Sequence, residues 1–169
     1  MDNNYRTGVI GEKTRSWNVC SRLVSVMVFT VVGALPAPAL ADCFDESARY
    51  HKVNPWILRA IAAVESGFRP ATIVGNTNGT LDRGMTGINS VHLPELSRYG
   101  ITTGDMMDAC KSVYLAGWHL RRKINEGGNT WESVGAYHSK TPDKRDVYVR
   151  KIQRVLAFWV TKGIMPRDG

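Results

Sequence analysis

The sequence offers little from which a metal site or a disulfide framework could be built. Its 169 residues include three cysteines and four histidines. His51, His92, His119 and His138 show neither an H-E-x-x-H pattern nor any other ligand spacing. The Asn-rich stretch 76–82 lacks the repeated acids and distal glutamate of an EF-hand loop. Neither a metal nor a cofactor is expected. Acidic residues are also in deficit, 15 against 22 Lys plus Arg, for a net charge of +7. Such a balance draws a protein to anionic polymers without choosing among nucleic acid, lipid and cell wall. Repeats and low-complexity tracts are absent. Hydrophobic residues at 43% and charged residues at 22% are ordinary for a globular domain, which excludes disordered, collagen-like and polytopic membrane classes. The length suits one domain.

The N-terminus reads as a leader rather than as part of the fold. Arg6, Lys13, Arg15 and Arg22 form a basic head. An uncharged apolar run follows from Leu23 to Leu35, then Pro36, Pro38 and the small-residue triplet Ala39-Leu40-Ala41. Basic head, apolar centre and A-x-A site together predict a secretory signal peptide over 1–41, cut before Asp42. The competing reading is an uncleaved anchor, but the run falls well short of the roughly 20 residues needed to span a bilayer. Asp42 directly before Cys43 argues against a lipoprotein. The mature domain is then 42–169, exported to the periplasm or beyond, with membrane contact only in transit. Cys20 departs with the leader. Cys43 and Cys110 remain, and in an oxidising compartment they favour one disulfide over two buried thiols.

The mature chain reads as helical with one irregular stretch. Asn54-Pro55 predicts a capped helix start. Ile57, Ile61 and Val64 follow at helical spacing, and Gly67 with Pro70 predicts the stop. Within 71–89, Asn78-Gly79 predicts a tight turn in a loop or small hairpin. Further helices are expected over Ser90–Tyr99, from a cap at Asp105 to Gly127 with Ala109, Val113, Ala116, Leu120 and Ile124 on one face, over Thr130–Tyr137, and over Pro142–Trp159 with Tyr148, Ile152, Val155 and Trp159 on one side. The fold class is therefore mainly α: one compact helical domain with a small hairpin or loop region.

Glu65 stands out on chemistry alone. It lies in an apolar helix beside Val64, one turn after Ile61 and Ala62. Apolar surroundings and the negative end of the helix dipole both raise a carboxyl pKa. A carboxylic acid still protonated near neutrality can donate to a leaving-group oxygen. The plainer alternative is a solvated glutamate, or an ion pair with Arg59 or Arg69. Asp82, just past the turn-rich loop, could face Glu65 across a cleft as a glycosidase requires, although aspartates near turns usually cap backbone amides. Arg121-Arg122-Lys123 and Lys144-Arg145 read as solvated helix faces, so no nucleic-acid partner is expected.

Several segments, in order, resemble the lysozyme-like lytic transglycosylases, and among them the small IagB/IpgF type that accompanies secretion systems and pili. Ala60–Pro70 is similar to that family's catalytic-glutamate motif, with the acid at Glu65. Asn76–Asp82 resembles a loop of the secretion-associated branch. Gly84-Met85-Thr86-Gly87-Ile88-Asn89-Ser90 stands where the family has Gly-Leu-Met-Gln-Ile-Asn-Ser. Leu93–Ile101, Ala136-Tyr137-His138-Ser139 and Tyr148–Ile152 continue the match. The departure is in the third of these segments, where Gly87 replaces a glutamine that lines the substrate groove.

The resemblance implies a lysozyme-like α+β fold with the hairpin beside the active-site cleft. It also implies cleavage of the β-1,4 bond between N-acetylmuramic acid and N-acetylglucosamine, leaving a 1,6-anhydromuramyl end. Glu65, Asp82 and Tyr137 would be catalytic, with the Tyr137 hydroxyl holding Glu65. Ser66, Met85, Gly87, Asn89 and Tyr148 would contact substrate. The expected partners are peptidoglycan strands and secretion-system components, and the expected state is a monomer. Hydrolysis to a reducing end, as in a muramidase, is the nearest alternative. A weakly active or non-catalytic wall-binding assembly factor is the alternative outside that chemistry.

Overall fold

The computed structural model describes residues 40–166. The leader expected over 1–41, apart from its last two residues, lies outside the described residues. Seven helices and three short strands occur among those described: α1 Leu40–His51, α2 Pro55–Ser66, β1 Ile73–Gly75, β2 Leu81–Arg83, β3 Ile88–Asn89, α3 Leu93–Leu96, α4 Thr103–Met107, α5 Ala109–Gly127, α6 Trp131–Ala136 and α7 Pro142–Thr161. The architecture is that of a lysozyme-like α+β domain. No helix among the described residues is long and apolar enough to cross a membrane.

Local chemistry explains most boundaries. The Asn54 side chain accepts from the Trp56 and Ile57 amides, and Pro55 opens α2. Gly67 closes it at φ +61°, its amide bonding back to the Ala62 and Ala63 carbonyls. The turn-rich stretch is a hairpin, with β1 antiparallel to β2 and Val74 opposite Asp82. A third strand joins it, pairing Asp82 with Asn89. Ser90–Tyr99 is broken rather than one helix: α3 is flanked by the 3-10 turns Ser90–His92 and Ser97–Tyr99.

Two expectations need correction. Asp105 does not cap the long helix. Thr102 caps α4, and the Asp105 carboxylate reaches back to the Thr102 amide at 2.7 Å in a capping box. Asp108, extended at φ −72° and ψ 133°, then interrupts the helix and caps α5. No helix is signalled by the sequence before Asn54, yet α1 spans Leu40–His51. Its buried face is Cys43, Phe44, Ser47 and Ala48, so two of the four positions carry little or no apolar signal.

Helix α1 packs along α5. The Ser47 hydroxyl donates to the Val113 carbonyl, and the Arg121 guanidinium to the His51 carbonyl. Cys43 is disulfide-bonded to Cys110 with a Cα separation of 5.5 Å, which ties the start of the domain to α5. Leu58 and Ile61 of α2, Val113 and Leu120 of α5, Ile152 of α7, and Met85, Ile88 and Met106 are at most 1% exposed. They form one core, each such side chain stabilising the fold by roughly 1.5–3 kcal/mol. The spacing-based faces of α2, α5 and α7 thus turn inward as the sequence implies. Gly84–Gly87, between β2 and β3, lies against the same core.

Candidate active site

Glu65 sits in the last turn of α2, half-buried. The segment facing it, Met85-Thr86-Gly87, is pinned from three sides. The Ser66 hydroxyl donates to the Met85 carbonyl at 2.7 Å. The Thr86 amide donates to the Ser112 hydroxyl, and the Thr86 hydroxyl lies 2.9 Å from the Ser112 carbonyl. The Tyr137 hydroxyl donates to the Thr86 carbonyl at 2.8 Å. Gly87 follows with φ +66°, a left-handed conformation that favours glycine. A Cβ at this position would lie 2.7 Å from Glu65 Oε2. The missing side chain therefore leaves room for the carboxyl.

The opposite wall is the hairpin. Asp82 faces the cleft from β2, and its carboxylate accepts from the Asn89 amide nitrogen at 2.7 Å. The same nitrogen reaches the Thr80 hydroxyl, while Asn89 Oδ1 caps the following 3-10 turn through the Val91 amide. Asn89 is thus a brace for the hairpin as well as a lining residue.

Two cavities, of about 520 and 200 Å³, lie on this face. Both are lined by Glu65, Asp82, Gly87 and His138, along with Asn76. The two carboxyls therefore stand where the larger and smaller cavities meet, as an extended polymer crossing the site would require.

Burial is the main cause of a Glu65 pKa pushed up to about 7. The Tyr148 hydroxyl opposes this, the Asp82 charge adds to it, and Lys151 opposes it weakly. Tyr148 is 3% exposed, and its hydroxyl meets no acceptor at regular hydrogen-bond geometry. Burial and the nearby Glu65 charge hold its pKa far above the ordinary tyrosine value. The Tyr148 ring stacks on His138 at 4.8 Å between centroids.

Of the residues singled out from sequence, Glu65, Asp82, Gly87, Asn89 and Tyr137 line one cleft. Three do not. The Met85 side chain is fully buried in the core. Ser66 is 3% exposed, and its hydroxyl is engaged by the backbone of Met85, Ala62 and Arg69. Tyr148 lies behind the wall rather than on it. The Tyr137 hydroxyl donates to the Thr86 carbonyl rather than to Glu65. The sequence reading missed His138, His92, His119, Lys123 and Lys144 on the cleft wall. Only His138 had a signal, its place beside Tyr137 in the 136–139 segment. His119 is buried, bonds the Tyr137 carbonyl at 3.1 Å through Nε2, and has its pKa depressed to about 3, first by burial and then by His92.

The family described as Transglycosylase SLT domain matches residues 42–150. The chain is 33% identical over 133 residues to an "X polypeptide" of Escherichia coli, covering 73% of this chain and 78% of that protein. It is 32% identical over 123 residues to "Protein IpgF" of Shigella flexneri, covering 72% and 81%. It is 34% identical over 119 residues to "Invasion protein IagB" of Salmonella typhimurium strain SL1344, covering 69% and 74%.

Proposed function

The chain belongs to the transglycosylase SLT family, lytic transglycosylases that break a glycosidic bond of peptidoglycan as lyases, and we propose that Glu65 is the group that performs the cleavage. The observation that carries this reading is a carboxyl on the wall of an open cleft with its pKa raised to about 7. Near neutrality such a group is present both as acid and as base, and one residue can serve both halves of the reaction.

In the first half, the protonated Glu65 donates to the glycosidic oxygen between the muramyl and glucosaminyl residues. The bond from that oxygen to muramyl C1 breaks, and the glucosaminyl part leaves with a 4-hydroxyl. The muramyl C1 carries oxocarbenium character, faced by the Asp82 carboxylate that Asn89 holds in place. In the second half, the C6 hydroxyl of the same muramyl residue bonds to C1 and gives its proton to the Glu65 carboxylate. The acid is regenerated and a 1,6-anhydromuramyl end is released without consuming water. An intramolecular nucleophile has a proximity advantage over solvent. Tyr137 acts through the Thr86 carbonyl, setting the segment that carries Gly87.

Two carboxyls on one cleft also favour a second reading, hydrolysis as in a retaining muramidase. Mass spectrometry of the released muropeptides separates them. Anhydro ends from the wild type, lost in Glu65→Gln, support transglycosylation. Reducing muramic ends alone would establish hydrolysis instead.

We also propose that residues 1–41 are an export leader and 42–169 the periplasmic enzyme, a division supported by the family match beginning at residue 42. On this reading its purpose is to open the wall locally for a secretion apparatus, a purpose that suits a chain similar to proteins named "Invasion protein". N-terminal sequencing of the periplasmic protein tests the division: it should begin at Asp42, and an intact Met1 would overturn it.

A further inference from the structure

The cleft lining is divided by charge. Glu65 and Asp82 lie where the two cavities meet, whereas Lys123, Lys140 and Lys144 line only the larger one. Lys123 runs along the wall with its side chain 12% exposed, its Nζ 3.6 Å from Glu126. Lys140 Nζ lies 3.0 Å from the same carboxylate. Glu126 is not part of the lining, so one carboxylate outside the cleft offsets two ammonium groups on its wall, and Lys144 adds a third. The hairpin tip opposite contributes Asn76, Thr77 and Asn78, none of them charged. The wall histidines feel the excess. Burial is the main cause of their lowered pKa values; Arg122 and then Lys123 add to it at His92, His92 and then Lys123 at His119, while at His138 Asp82 opposes it and Lys151 and Lys144 add to it.

A glycan backbone is neutral and gives these lysines nothing to pair with. The carboxylates of peptidoglycan belong to the short acidic peptide carried on the muramyl lactyl group. An extended peptide advances about 3.4 Å per residue, so it can carry its carboxylates away from the scissile bond and along the wall. Resting on the transglycosylase reading above, we propose that the lysine-lined end of the cleft receives the carboxylates of the stem peptide. Peptide-bearing strands are then the preferred substrate over stripped ones.

The test compares anhydromuropeptide release from peptide-bearing strands and from strands stripped by an amidase, which keep only the lactyl carboxylate. Wild type is set against Lys123→Gln/Lys144→Gln at low and high salt. A solvated ion pair is worth up to roughly five-fold, so two should give a preference on the order of ten-fold at low salt. The preference should shrink toward one in the double variant and at high salt. An unchanged preference in the variant overturns the proposal. An equal loss on both substrates assigns the lysines to the glycan that both share, since the lactyl carboxyl is an amide in the peptide-bearing strands, and also overturns it. Binding of soluble fragments to Glu65→Gln separates this inference from the reading beneath it. Absence of anhydro products with tighter binding of peptide-bearing fragments sinks the transglycosylase reading but not the lysine site. Equal binding of both fragments sinks the lysine site alone.

Discussion

Replacing Gly87 with alanine should disarm the proposed acid without touching it. A Cβ there meets Glu65 Oε2 at 2.7 Å, Cδ at 3.0 Å and Cγ at 3.1 Å, where ordinary contact begins at 3.4 Å. The carboxyl must retreat by roughly half an ångström or more, since the Gly87 backbone is held through Thr86 by Tyr137 and Ser112. A misplacement of 1 Å in a catalytic geometry costs about 100-fold, so about ten-fold or more is expected here. The positive φ adds a folding cost of about 1–2 kcal/mol. Gly100→Ala isolates that second effect, because Gly100 has φ +76° and a Cβ there meets nothing within 4 Å. Denaturant midpoints and peptidoglycan turnover per folded molecule should be measured for both variants. Both should be destabilised by a similar amount, and only Gly87→Ala should lose turnover. Full activity in folded Gly87→Ala would mean that this close approach does not set the carboxyl. It also bears on the departure from the family's glutamine: the glycine gives up a side chain in the groove and leaves space that Glu65 occupies.

Three further outcomes are expected. Glu65 has a folded-state pKa raised from the ordinary 4.5 to about 7, so the fold favours its protonated form. Its contribution to stability is full below about pH 4.5, falls as pH rises to about 7, and is constant above. The displacement corresponds to about 2–3 kcal/mol after allowing for the solvated rim. Glu65→Gln should therefore gain stability over wild type by that amount at pH 8 and almost nothing at pH 4, read by urea unfolding at each pH. A pH-independent difference would contradict it. Tyr137→Phe leaves the Thr86 carbonyl without its donor, costing about 1–2 kcal/mol. It should lower kcat several-fold with little change in KM, and an unchanged kcat would deny the link from Tyr137 to Gly87. Replacing Cys43 and Cys110 by serine releases a separation of 67 residues and should cost about 2–4 kcal/mol. Thermal unfolding with and without reductant checks this, and coincident curves for wild type would mean that the bridge is absent or inert.

Periodicity made the faces of α2, α5 and α7 legible, because their buried positions are strongly apolar and regularly spaced. Helix α1 was not, since Ser47 and Ala48 are buried without advertising it. The α4–α5 break was hidden for a different reason. Asp105 and Asp108 both look like caps, and only the reach of Asp105 back to Thr102 decides between them. At the site, Glu65 could be read from an acid amid apolar neighbours. The roles around it could not. Ser66, Met85 and Tyr148 belong to matching motifs, yet their side chains serve the backbone, the core and the rear of the wall. Motif membership records that a residue is needed, not which way its side chain points. The lysines of the larger cavity come from distant segments, α5 and the α6–α7 region, that only the fold brings together.

Whether one carboxyl keeps its proton near neutrality can be read by carbon NMR at Glu65 itself. The δ-carbon of labelled glutamate, assigned by its absence in Glu65→Gln, should titrate with a midpoint near 7. A midpoint at the ordinary 4.5 would leave no proton to donate at neutral pH and would remove Glu65 from the reaction.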